Sequence, residues 1–261
     1  ENRMLAQFPE FSMANLASGK YMTDMEDYVT DQFFFRDQWI HLKVLEDLTL
    51  GKRESNGVYI GKKGYLMQIP ENNIDMDSVK NNLNGIREFA QRHEDVNTVM
   101  SLVPNAAYIL EQLTPANAPV RDQSQDIALA EDTVGDVLTY VDLTDTMSSH
   151  RDEAIYYKTD HHWTSLGARY AFDTLYSALG ISEPTQDYTI YPVSHTFSGT
   201  LASKSGYDRS KDTIDIYVPQ DVGTEYVVNY VEEGEKTASM YVSSALDQKD
   251  QYEVFFGGNH S

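Results

Sequence analysis

The tetrapeptide Asp160-His161-His162-Trp163 is where residues capable of chemistry are most concentrated in this 261-residue chain. Asp160 and His162 are two positions apart, so on an extended turn both side chains can face one side while His161 faces the other. A carboxylate beside an imidazole fixes the ring tautomer and stabilises the imidazolium, as a general base requires. The spacing therefore predicts a catalytic Asp160–His162 pair, with the bulky Trp163 indole packed beneath it.

Two other interpretations of this cluster remain open. One carboxylate and two imidazoles also suit a zinc, manganese or iron ion, which would make the protein a metal-dependent hydrolase. The same side chains could instead form a hydrogen-bonded cap on the following helix. The spare ligands that a closed structural site needs are not obvious in the sequence. We therefore expect no bound metal ion and no cofactor.

The elements around the tetrapeptide place it at a strand-to-helix junction. A strand-like segment, 154–157, precedes it, and Thr164 can cap a helix that runs through Leu179. In parallel α/β sheets, sites form at the carboxyl ends of strands. Lys158 and Trp163 flank the pair, and Asn105 follows another predicted strand. We expect Asn105, Lys158 and Trp163 to bind substrate, with Asn105 also a candidate oxyanion donor.

Periodicity along the chain predicts an α/β fold in a single domain, 1–261. Strands and helices alternate up to Leu179, which favours a parallel sheet with flanking helices. Residues 1–20 are expected to be an extended lead-in, 185–256 to be β-rich, and the Phe33–Phe35 run to lie in the core. The remaining predictions are two helices or one kinked helix over 22–50, a hairpin over 57–66, helices over 76–93 and 124–129, and strands over 96–103 and 137–142.

Composition excludes several classes of protein. The formal net charge is −21, so the chain would be repelled by nucleic acid and by anionic membranes. Cysteine is absent, which excludes disulfides, thiol nucleophiles and Cys-bound zinc, and fits an exported bacterial protein. No apolar run is long enough to span a membrane. Because the sequence opens at Glu1, we expect that an N-terminal targeting or anchoring segment is not part of it.

The segment 157–164, followed by Gly167 and Ala168, resembles the signature of the bacterial DHHW proteins. These are similar to the SGNH-hydrolase-like alginate O-acetyltransferases, whose motif has one His after a spacer residue. Further segments resemble that family in the same order along most of the chain: Glu1-Asn2-Arg3, Asp31-Gln32-Phe33 with Arg36-Asp37, the turn 61–66, Pro104-Asn105 and Gly199-Thr200-Leu201.

The resemblance implies an SGNH-hydrolase-like three-layer sandwich, exported and often tethered at the cell surface. In the acetyltransferase relatives, the Asp and His of the motif belong to a Ser-His-Asp triad. Carried over, Asp160 orients the ring and His162 is the base, while His161 occupies the spacer position. The implied chemistry is acyl transfer or deacylation on a cell-envelope glycan, with a possible acyl-donor protein as a second partner.

The chain departs from this family in its serines. After Asp160 there is no Gly-Asp-Ser segment, and no serine is expected between an apolar strand and a helix as a nucleophile elbow requires. If a serine of this chain reaches His162 Nε2, Ser198 and Ser203 are the first candidates. In the family, a segment like 255–260 leads into the serine-bearing strand. We therefore expect the final strand and helix to be missing and the chain to have little or no activity. The alternative is a non-catalytic glycan-binding or scaffold module.

Overall fold

The computed structural model describes residues 5–69, 74–181, 187–220, 227–231 and 234–258. Within these ranges the α-helices are α1 (Met13–Ala17), α2 (Lys20–Asp31), α3 (Arg36–Thr49), α4 (Met76–Arg92), α5 (Ala106–Ile109), α6 (Ser124–Val134), α7 (Thr144–Ser149), α8 (Ser165–Ala178) and α9 (Thr200–Ser205). The strands are β1 (Glu54–Ser55), β2 (Val58–Ile60), β3 (Leu66–Gln68), β4 (Val99–Met100), β5 (Thr139–Tyr140), β6 (Tyr188–Phe197), β7 (Asp212–Pro219), β8 (Val228–Tyr230) and β9 (Glu235–Thr237). None of the described helices is long and apolar enough to cross a membrane.

Strands β4 and β5 form the parallel pair that the alternation of elements predicts. Val99 lies opposite Thr139 and Met100 opposite Tyr140. Both strands are shorter than expected, since only two residues of each keep regular pairing. Helices α4 and α6 pack together beside them around the buried Leu83. This arrangement confirms the α/β class.

Among the described residues, the largest apolar cluster joins elements on both sides of the tetrapeptide. Met147 of α7 and Ile155 are fully buried there, and Tyr156 is almost fully buried. Burying side chains of this size stabilises the fold by roughly 1.5–3 kcal/mol each. Residues 155 and 156 are therefore fixed in the core, and the chain continues from there into the Asp-His-His-Trp turn.

The predicted hairpin is present and is attached to that turn. Strands β2 and β3 pair antiparallel, with Tyr59 opposite Met67. At the turn end of the hairpin, the Leu66 N–H donates to the Lys158 carbonyl oxygen at 2.7 Å. Lys63, with φ of 55°, makes the sharp turn between the two strands. The hairpin thus supports the residue two positions before Asp160.

The N-terminal region differs from two expectations. The segment 22–50 forms two helices, α2 and α3, as predicted, but Phe33, Phe34 and Phe35 between them are 58%, 75% and 57% exposed, so their placement in the core was wrong. They lie in the joint between α2 and α3, outside the inward stripe of either helix, and Phe35 adopts a left-handed φ of 56°. Within the expected extended lead-in, 13–17 is helical and capped by Ser12. The Glu1-Asn2-Arg3 segment lies outside the described residues.

In the described part of the region expected to be β-rich, there are four strands, two short 3-10 helices (Ser243–Asp247 and Gln251–Val254) and one α-helix that was not predicted. Strands β6 and β7 pair antiparallel, with irregular register between Pro192 and Phe197, and β8 pairs with β9. Helix α9 begins three residues after the end of β6. Its first turn contacts the tetrapeptide, so the link between β6 and β7 forms part of the site.

Candidate active site

Main-chain hydrogen bonds close the tetrapeptide into a tight turn. The Tyr157 N–H donates to the His162 carbonyl oxygen at 3.2 Å, and Tyr156 pairs with Trp163 across the base of the turn. The Thr164 N–H donates to the Ile155 carbonyl oxygen at 2.9 Å. Thr164 is also the N-cap of α8, as predicted. Residues 157–162 are consequently held between the core and a helix N-terminus.

Asp160 is buried, and its carboxylate accepts four hydrogen bonds, two on each oxygen. Its Oδ1 accepts from His162 Nδ1 at 2.6 Å and from the His162 N–H at 3.0 Å. Its Oδ2 accepts from the Thr200 N–H at 2.8 Å and from Thr200 Oγ1 at 2.9 Å. Burial by itself would raise the pKa of Asp160, but the bonds from His162 and Thr200 outweigh it and hold the pKa well below its usual range. Asp160 is therefore a carboxylate at neutral pH.

His162 makes the predicted contact with Asp160, and the contact defines its tautomer. A carboxylate only accepts, so Nδ1 carries the proton and Nε2 is left as an acceptor. The hydrogen bond that Nδ1 donates to Asp160 raises the pKa of His162 above its usual value. The ring stacked on His162 belongs to Tyr252, at 4.9 Å between centroids and 11° between planes. The expectation that Trp163 packs beneath the pair stays a prediction.

His161 does not face away from the pair, in contrast to the sequence-based prediction. Its Nδ1 lies 3.0 Å from Thr200 Oγ1 and 3.5 Å from Asp160 Oδ1. Its ring lies 3.9 Å from the His162 ring, centroid to centroid. Partial burial lowers the pKa of His161. The strict alternation assumed from the spacing does not apply, because the turn is too tight for successive side chains to point to opposite faces.

A second carboxylate, that of Asp212 in β7, holds the backbone of the turn just before Asp160. Asp212 accepts from the Lys158 N–H at 2.8 Å and from the Thr159 N–H and Oγ1 at 2.7 and 2.6 Å. Thr159 Oγ1 in turn accepts from the Gly199 N–H at 3.0 Å. Asp212, Thr159 and Gly199 are buried, and this network links β7, the turn and the start of α9 through direct hydrogen bonds.

The residues that sequence reasoning missed are Thr200, Asp212 and Tyr252. Thr200 lies 40 positions from Asp160 and Asp212 lies 53 positions from Thr159. The Gly199-Thr200-Leu201 segment was one of those that resemble the family, and this was the available signal for Thr200. No local pattern in the sequence distinguishes Asp212 or Tyr252 from other residues of the same type.

The three predicted substrate-binding residues are placed separately. Asn105 caps α5, with Oδ1 accepting from the Tyr108 N–H at 2.9 Å, and lies on a groove that also contains His161. Lys158 contributes main-chain bonds to Leu66 and Asp212. Trp163 is half-buried and lines a different cavity of about 420 Å³. Their roles toward a substrate stay predictions.

None of the serines within the described ranges hydrogen-bonds His162. Ser198 does follow a strand and precede a helix, contrary to expectation, since it lies between β6 and α9. However, Ser198 and Ser203 line a cavity on the side of Arg36 and Asp208 rather than the imidazole. His260 and Asn259 lie outside the described residues.

The same three side chains are the metal-ligand candidates that the described residues provide. One ligand atom each from Asp160, His161 and His162 lies within 4.8 Å of the others. Each carboxylate oxygen of Asp160 already accepts two hydrogen bonds. His162 Nδ1 faces Asp160 Oδ1, and His161 Nδ1 faces Thr200 Oγ1. Only the two Nε2 atoms remain without such partners, so the arrangement suits proton transfer better than a three-ligand metal site.

The fold and this site define an α/β domain of the SGNH hydrolase-like class. Residues 58–259 match the family model described as the SGNH hydrolase-like domain of the acetyltransferase AlgX, and the chain belongs to this family. The match confirms the family resemblance and the fold class that the sequence predicted. No curated protein sequence matches the chain.

Two solved structures with the same fold are similar to this chain. A DHHW family protein from Eubacterium siraeum superposes with a TM-score of 0.63 and 22% sequence identity, covering 79% of this chain and 70% of that one. Bacillus cereus PatB1 with a sulfonyl adduct superposes with a TM-score of 0.57 and 15% identity, covering 78% of this chain and 71% of that one. At these identities the likeness extends to the fold alone.

Proposed function

We propose that Asp160 and His162 are the acid–base half of a serine acyl-transfer site that acts on hydroxyl groups of a cell-envelope glycan. The observation that carries this proposal is the 2.6 Å contact between His162 Nδ1 and an ionised, fully hydrogen-bonded Asp160. This contact leaves Nε2 as a bare acceptor, which is the state a general base needs before reaction. Membership of an acetyltransferase family supports the reaction class.

The mechanism follows from these positions. His162 Nε2 takes the proton of a serine hydroxyl while the serine oxygen attacks the acyl carbon of the donor, and Asp160 stabilises the imidazolium. The imidazolium returns the proton to the leaving group, which produces an acyl-serine. A glycan hydroxyl then attacks the acyl-serine by the reverse sequence. The resemblance to the family suggests that the serine belongs to a strand following a segment like 255–260.

The proposed setting is outside the cytoplasm. We expect export and attachment at the cell surface, an envelope polysaccharide as substrate, and an acyl-donor protein as possible partner. The absence of cysteine and the net charge of −21 are compatible with this setting. Nucleic acid remains a poor candidate as a partner because of the same charge.

A comparison of two forms tests the proposal. Hydrolysis of p-nitrophenyl acetate is measured for the 261-residue chain and for the product of the complete natural reading frame. We expect turnover in the complete product and little or none in the 261-residue form if the frame continues beyond it. His162→Ala should lower kcat by at least about 10⁴-fold, because triad members act as a unit. Turnover that survives both His162→Ala and Asp160→Asn would contradict the proposal.

A non-catalytic glycan-binding module is the second candidate. It is favoured by the finding that no serine within the described ranges contacts His162. A glycan array separates the two: retention of a glycan without acyl turnover by the complete product would support the binding module. Release or transfer of acyl groups from the retained glycan would support the enzyme.

A further inference from the structure

The tautomer of His161 follows from a chain of hydrogen bonds. Thr200 Oγ1 has one proton and donates it to Asp160 Oδ2 at 2.9 Å. His161 Nδ1 lies 3.0 Å from the same Oγ1, which can therefore only accept from it. The second neighbour of Nδ1, Asp160 Oδ1 at 3.5 Å, is also an acceptor. His161 thus carries its proton on Nδ1 and leaves Nε2 bare.

His161 and His162 are consequently two adjacent imidazoles in the same tautomer, each protonated on Nδ1 and unprotonated on Nε2. Each directs its N–H toward the Asp160 and Thr200 cluster and keeps an unprotonated Nε2 away from it. The ring centroids are 3.9 Å apart and the ring planes differ by 36°. The side chains are 48% and 42% exposed. Two neighbouring acceptors that are open to solvent match a ligand with two neighbouring donors.

The groove beside His161 has the lining of a sugar subsite. It encloses about 290 Å³ and includes His161 but not His162 among its lining residues. Asn105 and Gln123 provide amide groups, and Met67 and Leu201 provide apolar surface. Ligand sites combine apolar walls with a few convergent polar groups in this way. A sugar in the groove would contact His161, and the His162 ring lies next to that of His161, at 3.9 Å between centroids.

We propose that His161 binds the acyl acceptor through the hydroxyl next to the reacting one, so that the two histidines together select vicinal diols. This inference rests on the acyl-transfer function proposed above. The hydroxyl on His161 Nε2 keeps its proton. The neighbouring hydroxyl gives its proton to His162 Nε2 as its oxygen bonds to the acyl carbon. The bond between that carbon and the serine oxygen breaks, and the serine oxygen takes the proton from His162.

Matched variants test the role of Nε2. His161→Gln can place an amide oxygen near the position of Nε2, whereas His161→Asn can keep only the contact with Thr200. With p-nitrophenyl acetate as donor, transfer to cis-1,2-cyclohexanediol is compared with transfer to cyclohexanol in the complete protein. We expect His161→Asn to lower the preference for the diol about three- to tenfold, the effect of losing one hydrogen bond, and His161→Gln to retain most of it. An unchanged preference in His161→Asn would overturn the proposal.

A binding measurement keeps this test separate from the acyl-transfer function. Imidazole ¹⁵N NMR of the 261-residue chain is recorded during titration with the same diol, with His161→Ala and His162→Ala used for assignment. Nδ1–H tautomers of both rings, and Nε2 shifts on adding the diol but not cyclohexanol, would support the inference even in a form without turnover. An Nε2–H tautomer of His161, or stoichiometric Zn²⁺ binding that depends on both histidines, would overturn it. If turnover depends on His162 while these shifts are absent, the proposed function stands and this inference fails.

Discussion

Gly199 lies against Asp160 so closely that it has no room for a side chain. A Cβ at Gly199 would lie 2.4 Å from both Cβ and Oδ2 of Asp160. Contacts this short require the backbone or the carboxylate to move. The glycine therefore allows the start of α9 to approach the turn, and this approach lets Thr200 donate two hydrogen bonds to Asp160.

The substitution Gly199→Ala should displace Asp160 from Thr200 and destabilise the fold by about 1–3 kcal/mol, as overpacking does. The free energy of unfolding in urea measures this. Gly85 in α4 is the matched control, because nothing lies within 4 Å of a Cβ built there. Gly85→Ala should stabilise the fold by about 0.5–1 kcal/mol. Equal effects of the two substitutions would contradict the close packing.

Asp212→Asn should weaken the hydrogen bonds that hold residues 158 and 159 in the turn. An amide has one acceptor oxygen where the carboxylate has two, so the N–H of Lys158 and the two donors of Thr159 cannot all remain bonded. Leaving a buried donor unpaired costs about 1–3 kcal/mol. Asp132→Asn, on the exposed face of α6, should change stability by less than about 0.5 kcal/mol. Asp212→Asn should also expose more backbone amides of residues 157–162 to hydrogen exchange.

The His162 ion pair should make stability depend on pH in a particular direction. The group facing His162 that raises its pKa is Asp160, with His161 and Tyr252 packed on the ring. A raised pKa means that the contribution to stability is full below the unfolded value of about 6.5 and is lost as the pH rises through the folded-state pKa. The stability difference between wild type and His162→Gln should therefore be larger at about pH 5.5 than at about pH 8.5.

His161→Gln is the control for that experiment, because the contribution of His161 to stability should depend on pH with the opposite sign. Burial lowers the pKa of His161, so its contribution is present above about pH 6.5 and is lost as the pH falls. Urea unfolding of the three proteins at both pH values gives the comparison. Parallel pH slopes for His161→Gln and His162→Gln would show that the two imidazoles do not occupy the different environments described.

Tyr252 should act through its ring rather than its hydroxyl. Its plane is nearly parallel to that of His162, and it also packs edge-on against Phe255. Tyr252→Phe keeps both ring contacts and should keep stability and the His162 pKa within error. Tyr252→Ala should cost about 2–4 kcal/mol and increase the rotamer freedom of His162. Side-chain NMR of His162 and thermal unfolding measure the two effects. A large effect of Tyr252→Phe would instead indicate a role for the hydroxyl.

The parts of the site that could be predicted are those that depend on local sequence. The spacing of Asp160 and His162 predicted their contact, and Thr164 predicted the start of α8. The orientation of His161 could not be deduced, because it depends on Thr200 from a distant segment. The exposed Phe34 was misplaced because an apolar side chain predicts burial only when its element turns that face inward.

The contacts that hold the turn also determine when it can form during folding. Asp212 and Thr159 are separated by 53 positions, and Thr200 and Asp160 by 40, so each contact closes a long loop of chain. Local helices such as α4 and α8 can form on their own segments much earlier, since contacts between distant residues slow the folding of a domain. Far-UV circular dichroism should therefore recover before the His162 environment does. A chain opened only at these two contacts would keep most of its helices and lose the arrangement of Asp160 and His162.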